Sequence, residues 1–394
     1  MSKNDKGLNR RELLGLSAAA GAGALLTGVG RADAAGAPQV PRRPLGKTGK
    51  KIPILLFGGA VRLDSTFDHK LAEAVRYGVN YFDAARRYGG GRCEANIAAY
   101  LKRAKNRNRI WITSKSPYHE PAGFERALHT TLSQLHTSYV DMYFLHALHD
   151  KSYLSSNMAK MAYKLKRAGK MRHVGFSCHH GNVVDMLNEA AKHSWIDAVM
   201  FRYNFRNYGD KALNKAMDAC HKRGIGLIAM KTQSSSVSFA GRVNKFKQTG
   251  KWTKHQAVLK AVWADPRLSA SVSAMSTIGQ VRQNIAAALN RSKLSAAETT
   301  ELQRYAAATR HTACDGCDHI CNPRVNAPVQ IGDTLRLLMY HDSYGEPAKA
   351  RALFNELPAA GRNFAGVDFS GASAACPHGV DVGALMKRAG EVLT

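Results

Sequence analysis

Short runs of β-branched and aromatic residues alternate with amphipathic helical stretches along most of this chain, and this alternation restricts its fold more than any other feature. The pattern is typical of a parallel sheet whose strands are joined by crossover helices. Eight such runs over about 250 residues match the size of a (β/α)8 barrel. A doubly wound sheet is the competing fold, and the lack of a GxGxxG motif after the first run disfavours it. The predicted strands are residues 54–57, 80–84, 109–114, 140–146, 173–177, 198–203, 226–231 and 268–275, with helices between them at 67–77, 94–105, 123–135 and 182–192.

Polar residues of complementary type stand at the ends of three successive predicted strands. Asp83 ends the second strand, Lys115 closes the third and His146 closes the fourth, while Tyr88 follows Asp83 by five residues. In barrels of this kind the chemistry gathers at the carboxyl ends of the strands. Each residue alone fits an ordinary role, such as a helix cap, a loop lysine or a core histidine. Together they predict one site.

These four residues form a coherent acid–base set. A tyrosine with a pKa of about 10 is a poor acid at neutral pH, and a neighbouring lysine ammonium is expected to lower that value. Asp83 would keep Lys115 charged and oriented, and His146 would relay a proton or position a carbonyl oxygen. The set therefore predicts proton delivery to a carbonyl while hydride arrives from a nicotinamide.

Six stretches of the chain resemble the aldo-keto reductase family, in the family's order, over roughly residues 42–300. The resemblance implies a (β/α)8 TIM barrel of aldo-keto reductase type acting on a small carbonyl or sugar-like substrate. It also implies that Asp83, Tyr88, Lys115 and His146 are the catalytic tetrad, with Tyr88 as the general acid/base. The stretches are PLGKTG at 44–49, GVNYFDAARRYG at 78–89, ITSK at 112–115, YVDMYFLH at 139–146, RHVGFS at 172–177 and GIGLIA at 224–229.

The resemblance further implies a nicotinamide dinucleotide, either NADP or NAD. It places cofactor contacts at Gly58, Ser177, Met230 and Asn284, with Met230 where the family has an aromatic residue that stacks on nicotinamide. The family's glutamate after Tyr-Gly corresponds to Glu94, which we expect to begin the following helix.

The cofactor positions match the family less well than the tetrad does. Cys178 and Met200 replace the amide residues that usually hold the nicotinamide, and Gln280 stands where an arginine is expected. An amide cannot reproduce a bidentate contact between a guanidinium group and a phosphate. Three alternatives follow: NADP held differently, use of NAD, or weak dinucleotide binding.

Four of the seven cysteines cluster late in the chain, at Cys314, Cys317, Cys321 and Cys376. The CxxCxxxC spacing brings three thiolates onto one turn, and a distant Cys-Pro commonly supplies a fourth cluster ligand. Soft thiolates favour an iron–sulfur cluster or zinc. The tail resembles the ferredoxin-type segments fused to some aldo-keto reductases, which implies one [4Fe–4S] cluster, with zinc or disulfides as alternatives. The remaining cysteines are expected to be structural: Cys93, Cys178 and Cys220.

The first 34 residues resemble a twin-arginine export signal. Arg10 and Arg11 precede an uncharged run at 13–30 and an Ala-x-Ala cleavage site at 32–34. At about 18 residues the run is just long enough to be a membrane anchor, but its Gly, Ala and Ser make transfer into lipid weak. We therefore expect passage through the twin-arginine export machinery to a periplasmic or otherwise exported location, with no stable membrane insertion after cleavage.

The chain thus divides into a signal at 1–34, a barrel at 42–300 and a mainly helical iron–sulfur segment at 301–394. In that last segment, helices predicted at 334–344 and 347–357 are expected to pack against the barrel. The net charge of +28 is spread along predicted helices without basic tracts, so nucleic acid is not an expected partner.

The expected function is hydride transfer between a nicotinamide cofactor and a carbonyl or alcohol. The alternative is an exported electron-transfer or binding module, in which the barrel no longer uses NAD(P) and the cluster serves a redox partner.

Replacing both Arg10 and Arg11 by lysine should leave the precursor in the cytoplasm, because the export machinery reads the arginine pair. Cell fractionation followed by immunodetection measures the outcome, and Lys3→Arg is the matched control. Periplasmic delivery of the double variant at the wild-type level would contradict this assignment.

Overall fold

Among the described residues, eight parallel strands close into a barrel, which confirms the predicted (β/α)8 fold. The strands follow one another around the barrel in chain order, and the last pairs with the first, Ser271 beside Leu55. No predicted strand boundary differs from the observed one by more than two residues. A short antiparallel hairpin, β1 (Arg42–Pro44) and β2 (Lys51–Pro53), precedes the barrel strands. These are β3 (Leu55–Gly58), β4 (Tyr81–Asp83), β5 (Trp111–Ser116), β6 (Val140–Leu145), β7 (Met171–Cys178), β8 (Ala198–Arg202), β9 (Gly226–Met230) and β10 (Leu268–Ala274).

Helices follow the strands and continue into the C-terminal segment. The computed structural model describes residues 36–233, 252–308, 310–312, 314–342 and 345–394, so the predicted signal lies outside the described residues. Within those ranges, no helix has both the length and the apolar character needed to cross a membrane. The helices are α1 (His69–Arg76), α2 (Cys93–Ala104), α3 (Pro121–Gln134), α4 (Ser156–Arg167), α5 (Val183–Ala190), α6 (Lys211–Lys222), α7 (Lys254–Trp263), α8 (Ile278–Leu289), α9 (Ala296–Ala308), α10 (Asp318–Cys321), α11 (Ile331–Asp342), α12 (Pro347–Asn355), α13 (Ala359–Arg362), α14 (Ser370–Ala375) and α15 (Val382–Leu393).

The barrel strands are apolar on both faces because helices cover the outside and side chains fill the inside. Every residue of β6 is buried, for example. Outward-facing residues such as Phe82 and Val174 belong to the large core under the helices. The barrel interior is filled by a separate cluster that includes Leu45, Leu56, Tyr81, Met142, Phe144, Met200, Ile228 and Ala270.

The β1–β2 hairpin packs against the amino-terminal end of the barrel and accounts for the PLGKTG motif. Leu45 is fully buried in the interior cluster. The Arg43 guanidinium group donates to the carbonyl oxygens of Asp265 and Leu268 at 3.1 and 2.9 Å. Gly46 has a φ of 49°, and a Cβ there would lie 2.2 Å from the carbonyl oxygen of Gly224, in the turn before β9. Only glycine fits at this position. The motif is therefore structural.

The C-terminal helices surround an apolar cluster of their own. Leu335 and Leu338 of α11 pack there with Phe354 and Met386. The expectation that the apolar residues of this helix pack against the barrel is wrong for its leucines. A polar contact joins α11 to the barrel: the Lys231 ammonium, just beyond β9, donates to the Tyr340 hydroxyl at 2.5 Å.

Other contacts also attach the C-terminal segment to the carboxyl ends of the barrel strands. Arg202, the last residue of β8, donates to the carbonyl oxygen of Cys314 at 2.9 Å. The backbone N–H of Gly181, which follows β7, donates to the carbonyl oxygen of Gly316 at 2.7 Å. The Lys349 ammonium donates to the carbonyl oxygen of Ala60 at 3.3 Å. The segment therefore covers part of the barrel mouth.

Gly181→Val should loosen this docking. A Cβ at position 181 would lie 2.3 Å from Cys317 Cα and 2.7 Å from the Gly316 carbonyl oxygen. Overpacking of this kind costs about 1–3 kcal/mol, so the urea midpoint should fall and protease cleavage of the C-terminal segment should accelerate. Gly209→Val is the control, because a Cβ there meets nothing within 4 Å. Equal stability of the two variants would argue against a close approach at Gly181.

Candidate active site

A buried ion pair joins two neighbouring strands at the barrel mouth. The Lys115 ammonium lies 2.6 Å from Asp83 Oδ1 and donates to the carbonyl oxygen of Ala84 at 2.8 Å. The side chains are nearly inaccessible, with 1% and 3% exposure for Lys115 and Asp83. Burial raises the pKa of Asp83, and the lysine opposes that rise. The strand register, in which Asp83 is beside Thr113, sets the two groups within reach of each other.

Tyr88 and His146 complete the predicted tetrad around this pair. Tyr88 lies in the turn after β4, and the Lys115 ammonium lies 4.6 Å from the centre of its ring. The rings of Tyr88 and His146 meet edge to face, with their centres 5.7 Å apart. The structure therefore brings all four predicted tetrad residues together.

The pKa of Tyr88 shifts opposite to the sequence-based expectation. Burial raises it well above its ordinary value, and the negative charges of Asp83 and Tyr340 raise it further. The expectation that Lys115 would lower this pKa is therefore wrong for this structure. The reason is geometric, because the ammonium is directed at Asp83 and lies over the face of the phenol ring. At neutral pH, Tyr88 therefore keeps its proton.

His146 is held neutral and oriented by its neighbours. Burial lowers its pKa well below the ordinary value, and the positive charge of Lys115 lowers it further. Its carbonyl oxygen contacts His119 Nε2 at 2.7 Å. The next residue, Ala147, has a φ of 52°, which is uncommon for alanine, and its N–H donates to Ser177 Oγ at 2.9 Å. Ser177, a predicted cofactor contact, thus fixes the turn that carries His146.

The other predicted cofactor contacts also lie at or near the mouth. Gly58 ends β3 beside Ala274, and Met230 ends β9, half-buried. Asn284 is buried in α8, where its amide donates to Ser273 Oγ at 3.0 Å and accepts from Gln233 at 2.9 Å. The structure therefore brings Gly58 and Asn284 close to the same strand, β10, while the Asn284 side chain is engaged by protein groups.

Positions where the sequence departs from the family are occupied as follows. Met200 is buried in the barrel interior, and Cys178 is buried at the end of β7. Gln280 accepts from the Ser276 N–H at 2.7 Å, so this amide caps the start of α8. Glu94 lies in the first turn of α2, as predicted, and accepts from Ser114 Oγ at 2.5 Å.

Three further residues at the mouth of the barrel were not predicted from the sequence. Tyr340 and Arg336 come from α11, and Lys231 from the residue after β9. Burial would raise the pKa of Tyr340, but the charges of Lys231 and Arg336 outweigh burial and lower it to about 7. The one available signal was the spacing of Arg336 and Tyr340, which puts both on one helix face. Nothing local in the sequence indicated which surface that face meets.

The four clustered cysteines lie together in the C-terminal segment. Cys314 and Cys376 pack against the apolar cluster that contains Cys321. Backbone N–H groups point at two of the sulfurs, Gly316 at Cys314 Sγ (3.3 Å) and Val380 at Cys376 Sγ (3.4 Å).

Cys317 completes the quartet. Burial raises its pKa to about 12, and its Sγ lies 3.8 Å from His378 Nε2. Across the part of the chain that the structure describes, no three His, Cys, Asp or Glu side chains are arranged to hold a metal ion. The four cysteines therefore lie near one another, but their side chains are not arranged around a metal site.

Comparison with known proteins places this arrangement in context. Residues 57–256 match the aldo/keto reductase family. L-galactose dehydrogenase of Arabidopsis thaliana is 24% identical over 287 residues, covering 63% of this chain and 88% of that protein. The NAD(P)H-dependent D-xylose reductase I,II of Candida tropicalis is 31% identical over 116 residues, 28% of this chain. The chain spans only 35% of the length of that xylose reductase.

Solved structures share the fold. The aldo-keto reductase AKR11C1 from Bacillus halodurans, in its holo form, has a TM-score of 0.56 and 21% identity, covering 68% of this chain and 96% of that one. The thermostable aldo-keto reductase Tm1743, solved with the inhibitor epalrestat, has a TM-score of 0.53 and 23% identity, covering 67% and 99%. Both likenesses concern the barrel architecture.

Proposed function

The chain belongs to the aldo/keto reductase family, and on that premise we propose that it transfers hydride between a nicotinamide dinucleotide and a small carbonyl or alcohol, with Tyr88 as general acid/base. The observation that carries the proposal is the buried Lys115–Asp83 pair beside Tyr88 and His146, at the carboxyl ends of neighbouring strands. Active sites of (β/α)8 enzymes lie at this face.

The relatives support a sugar-like substrate. Their names describe NAD(P)H-dependent D-xylose reductases and an L-galactose dehydrogenase, which act on sugars in opposite redox senses. A hydroxylated aldehyde or the corresponding alcohol is the substrate class we propose for this chain.

The residues at the mouth fit a nicotinamide in part. A bound nicotinamide would supply or accept the hydride, and Gly58, Ser177, Met230 and Asn284 would hold it. The half-buried Met230 offers an apolar surface at the end of β9. Asn284 would have to exchange its bonds to Ser273 and Gln233 for the ligand. Without a guanidinium group at position 280, either NAD or NADP is compatible with the proposal.

The tetrad residues would supply the proton and orient the substrate. Tyr88 would give its hydroxyl proton to the carbonyl oxygen and would take up a proton again before the next turnover. Asp83 keeps the Lys115 ammonium in place. The neutral His146 would orient the carbonyl oxygen by hydrogen bonding.

We also propose that Cys314, Cys317, Cys321 and Cys376 ligate one [4Fe–4S] cluster. Support comes from the cysteine spacing, the shared location of the thiols and the backbone N–H groups directed at two sulfurs. The four side chains would have to move to ligate the cluster, since the described residues are not arranged around a metal ion. Twin-arginine export carries folded, cofactor-loaded proteins, so a periplasmic location is consistent with a cluster inserted in the cytoplasm.

A second candidate function is electron transfer by a barrel that no longer uses NAD(P). The observation that favours it is the docking of the cysteine segment on the mouth, where Arg202 pairs with Asp315 and contacts the Cys314 carbonyl. Nucleotide analysis of the purified protein separates the two candidates.

Tyr88→Phe should reduce turnover by about 10²–10⁴-fold, because it removes the proton donor while preserving the ring. Nucleotide affinity, measured by fluorescence titration, should change little. Tyr100→Phe, a buried tyrosine in α2, is the control and should keep wild-type turnover. Full activity of Tyr88→Phe would refute the tetrad mechanism, and a wild type that binds no nicotinamide nucleotide would favour the electron-transfer module.

The anaerobically purified protein should be brown and contain about four irons per chain. Serine at any of Cys314, Cys317, Cys321 or Cys376 should bleach it, because each thiolate is a ligand. Serine at Cys220, which is buried beside Leu187 in the barrel, is the control. Stoichiometric zinc without labile sulfide would replace the cluster assignment with a zinc site.

A further inference from the structure

Positive charge gathers at the end of the barrel opposite the mouth. The helices around a (β/α)8 barrel finish at that end, where short turns lead into the next strand. In the described ranges that form it, every exposed side chain of the Lys, Arg, Asp and Glu types is a Lys or an Arg. We call this surface the basic face. It consists of the β1–β2 hairpin at 42–53 and the turns at 76–80, 105–110, 135–139, 167–170, 191–197, 221–225 and 264–267.

The hairpin is the most highly charged part of the basic face. Its sequence, RRPLGKTGKKIP at 42–53, holds five Lys or Arg residues and no acidic residue. The backbone N–H of Lys47 donates to the carbonyl oxygen of Gly224 at 2.6 Å, and the Lys47 ammonium donates to the carbonyl oxygen of Ser194 at 2.7 Å. These bonds fix the hairpin beside two of the turns, so their charges belong to one surface.

The carboxylates in these turns, and at the start of the strands that follow, are buried or half-buried and lie against cations. The shortest nitrogen-to-oxygen distances are 3.2, 2.5 and 2.6 Å for Asp141 with Arg107, Asp197 with Lys166 and Asp265 with Arg267. These carboxylates compensate cations of the underlying layer. The exposed charge of the basic face therefore stays positive.

Helix dipoles account for part of this charge. A cation in the last turn of a helix stabilises the negative end of the dipole. Arg167 ends α4 and Lys222 ends α6, so both have this ordinary role. Lys50 and Lys51 follow the tip of the hairpin and end no helix. A concentration of like charge at an exposed surface attracts a polyanion, and the hairpin lysines fit that purpose.

The chain also enters the barrel at the basic face. The Gln39 amide donates to the carbonyl oxygen of Arg76 at 3.0 Å, and the Val40 N–H donates to that of Tyr77 at 2.9 Å. The export signal predicted at residues 1–34 ends only a few residues before these contacts. A signal held at a membrane would therefore hold this end of the barrel, and not the mouth, nearest to the lipid.

We propose that the basic face docks on a bilayer rich in anionic phospholipid, with the mouth turned away from the membrane. Its lysine and arginine side chains bind the headgroup phosphates. This role goes beyond the proposed oxidoreductase function and is independent of it, because no tetrad residue takes part.

The docking is electrostatic and peripheral. Large hydrophobic side chains that are exposed among the described residues lie outside the basic face, at Tyr118, Tyr153, Tyr163 and Ile278. The face therefore offers no apolar group to insert between lipids. Each Lys or Arg close to an anionic leaflet strengthens binding about fivefold. This attraction fades beyond a Debye length of about 10 Å at 0.1 M salt, so added salt should release the protein.

The test is sedimentation of the full chain with vesicles of phosphatidylcholine, with and without phosphatidylglycerol. Lys50→Gln, Lys51→Gln and Lys222→Gln are combined in one variant, since these side chains are exposed and lie on the basic face. Its partition onto the anionic vesicles should fall by about 10²-fold relative to wild type.

The control variant removes the same charge elsewhere. It combines Lys151→Gln, Lys160→Gln and Lys211→Gln, which are exposed residues in the loop after β6, the first half of α4 and the start of α6. It should bind anionic vesicles within about twofold of wild type, because these positions lie toward the mouth. Both variants keep residues 1–34, so any binding by the signal cancels in the comparison.

Lysine acetylation of the wild type on the vesicles, read by mass spectrometry, gives a second measurement that needs no variant. Anionic vesicles should protect Lys50, Lys51 and Lys222 and leave Lys151 and Lys211 as reactive as in solution. Equal binding of the two variants, or equal protection of the two sets of lysines, would overturn the proposal. It would also fail if wild type ignored anionic vesicles but bound soluble dextran sulfate through Lys50 and Lys51, since the acidic partner would then not be a bilayer.

Discussion

The ion pair between Lys115 and Asp83 is the interaction on which the rest of the site depends. Two charges are withdrawn from water at the ends of adjacent strands, which is unfavourable unless each satisfies the other. Their separation of 2.6 Å and the added bond to the Ala84 carbonyl provide that compensation. Removing one partner from such a pair typically costs about 3–5 kcal/mol, because the other charge remains buried alone. The pair therefore ties the chemistry of the mouth to the stability of the barrel.

Local patterns predicted the barrel because its strands differ so clearly from the helices between them. Asp83, Lys115 and His146 were identifiable for the same reason, since strand ends in a parallel barrel share one face. The ionisation of Tyr88 was not predictable. It depends on where the Lys115 ammonium points and on a charge from residue 340, and neither is encoded near residue 88.

The C-terminal segment shows the same limit more strongly. Two of its helices, α11 and α12, could be located from the sequence, and its cysteines stood out by their spacing. The apolar residues of α11 turned out to serve the segment itself, and its polar face meets the barrel. When a helix has an apolar face and a polar face that can both make contacts, its sequence does not show which face contacts the barrel. Arg336 and Tyr340 became recognisable as site residues only beside Lys231.

The contacts that close the mouth join parts of the chain that are far apart in sequence. Lys231 and Tyr340 are separated by 109 residues, and Ala60 and Lys349 by 289. Closing loops of that length is entropically costly and slow compared with forming the local helices and neighbouring strand pairs. The barrel is thus expected to fold first, and the C-terminal segment is expected to dock on it last. During biosynthesis, the barrel would pass through a stage in which the four tetrad residues are assembled but the C-terminal helices do not yet cover the barrel mouth. A large ligand would enter most easily at that stage, before the final helices dock.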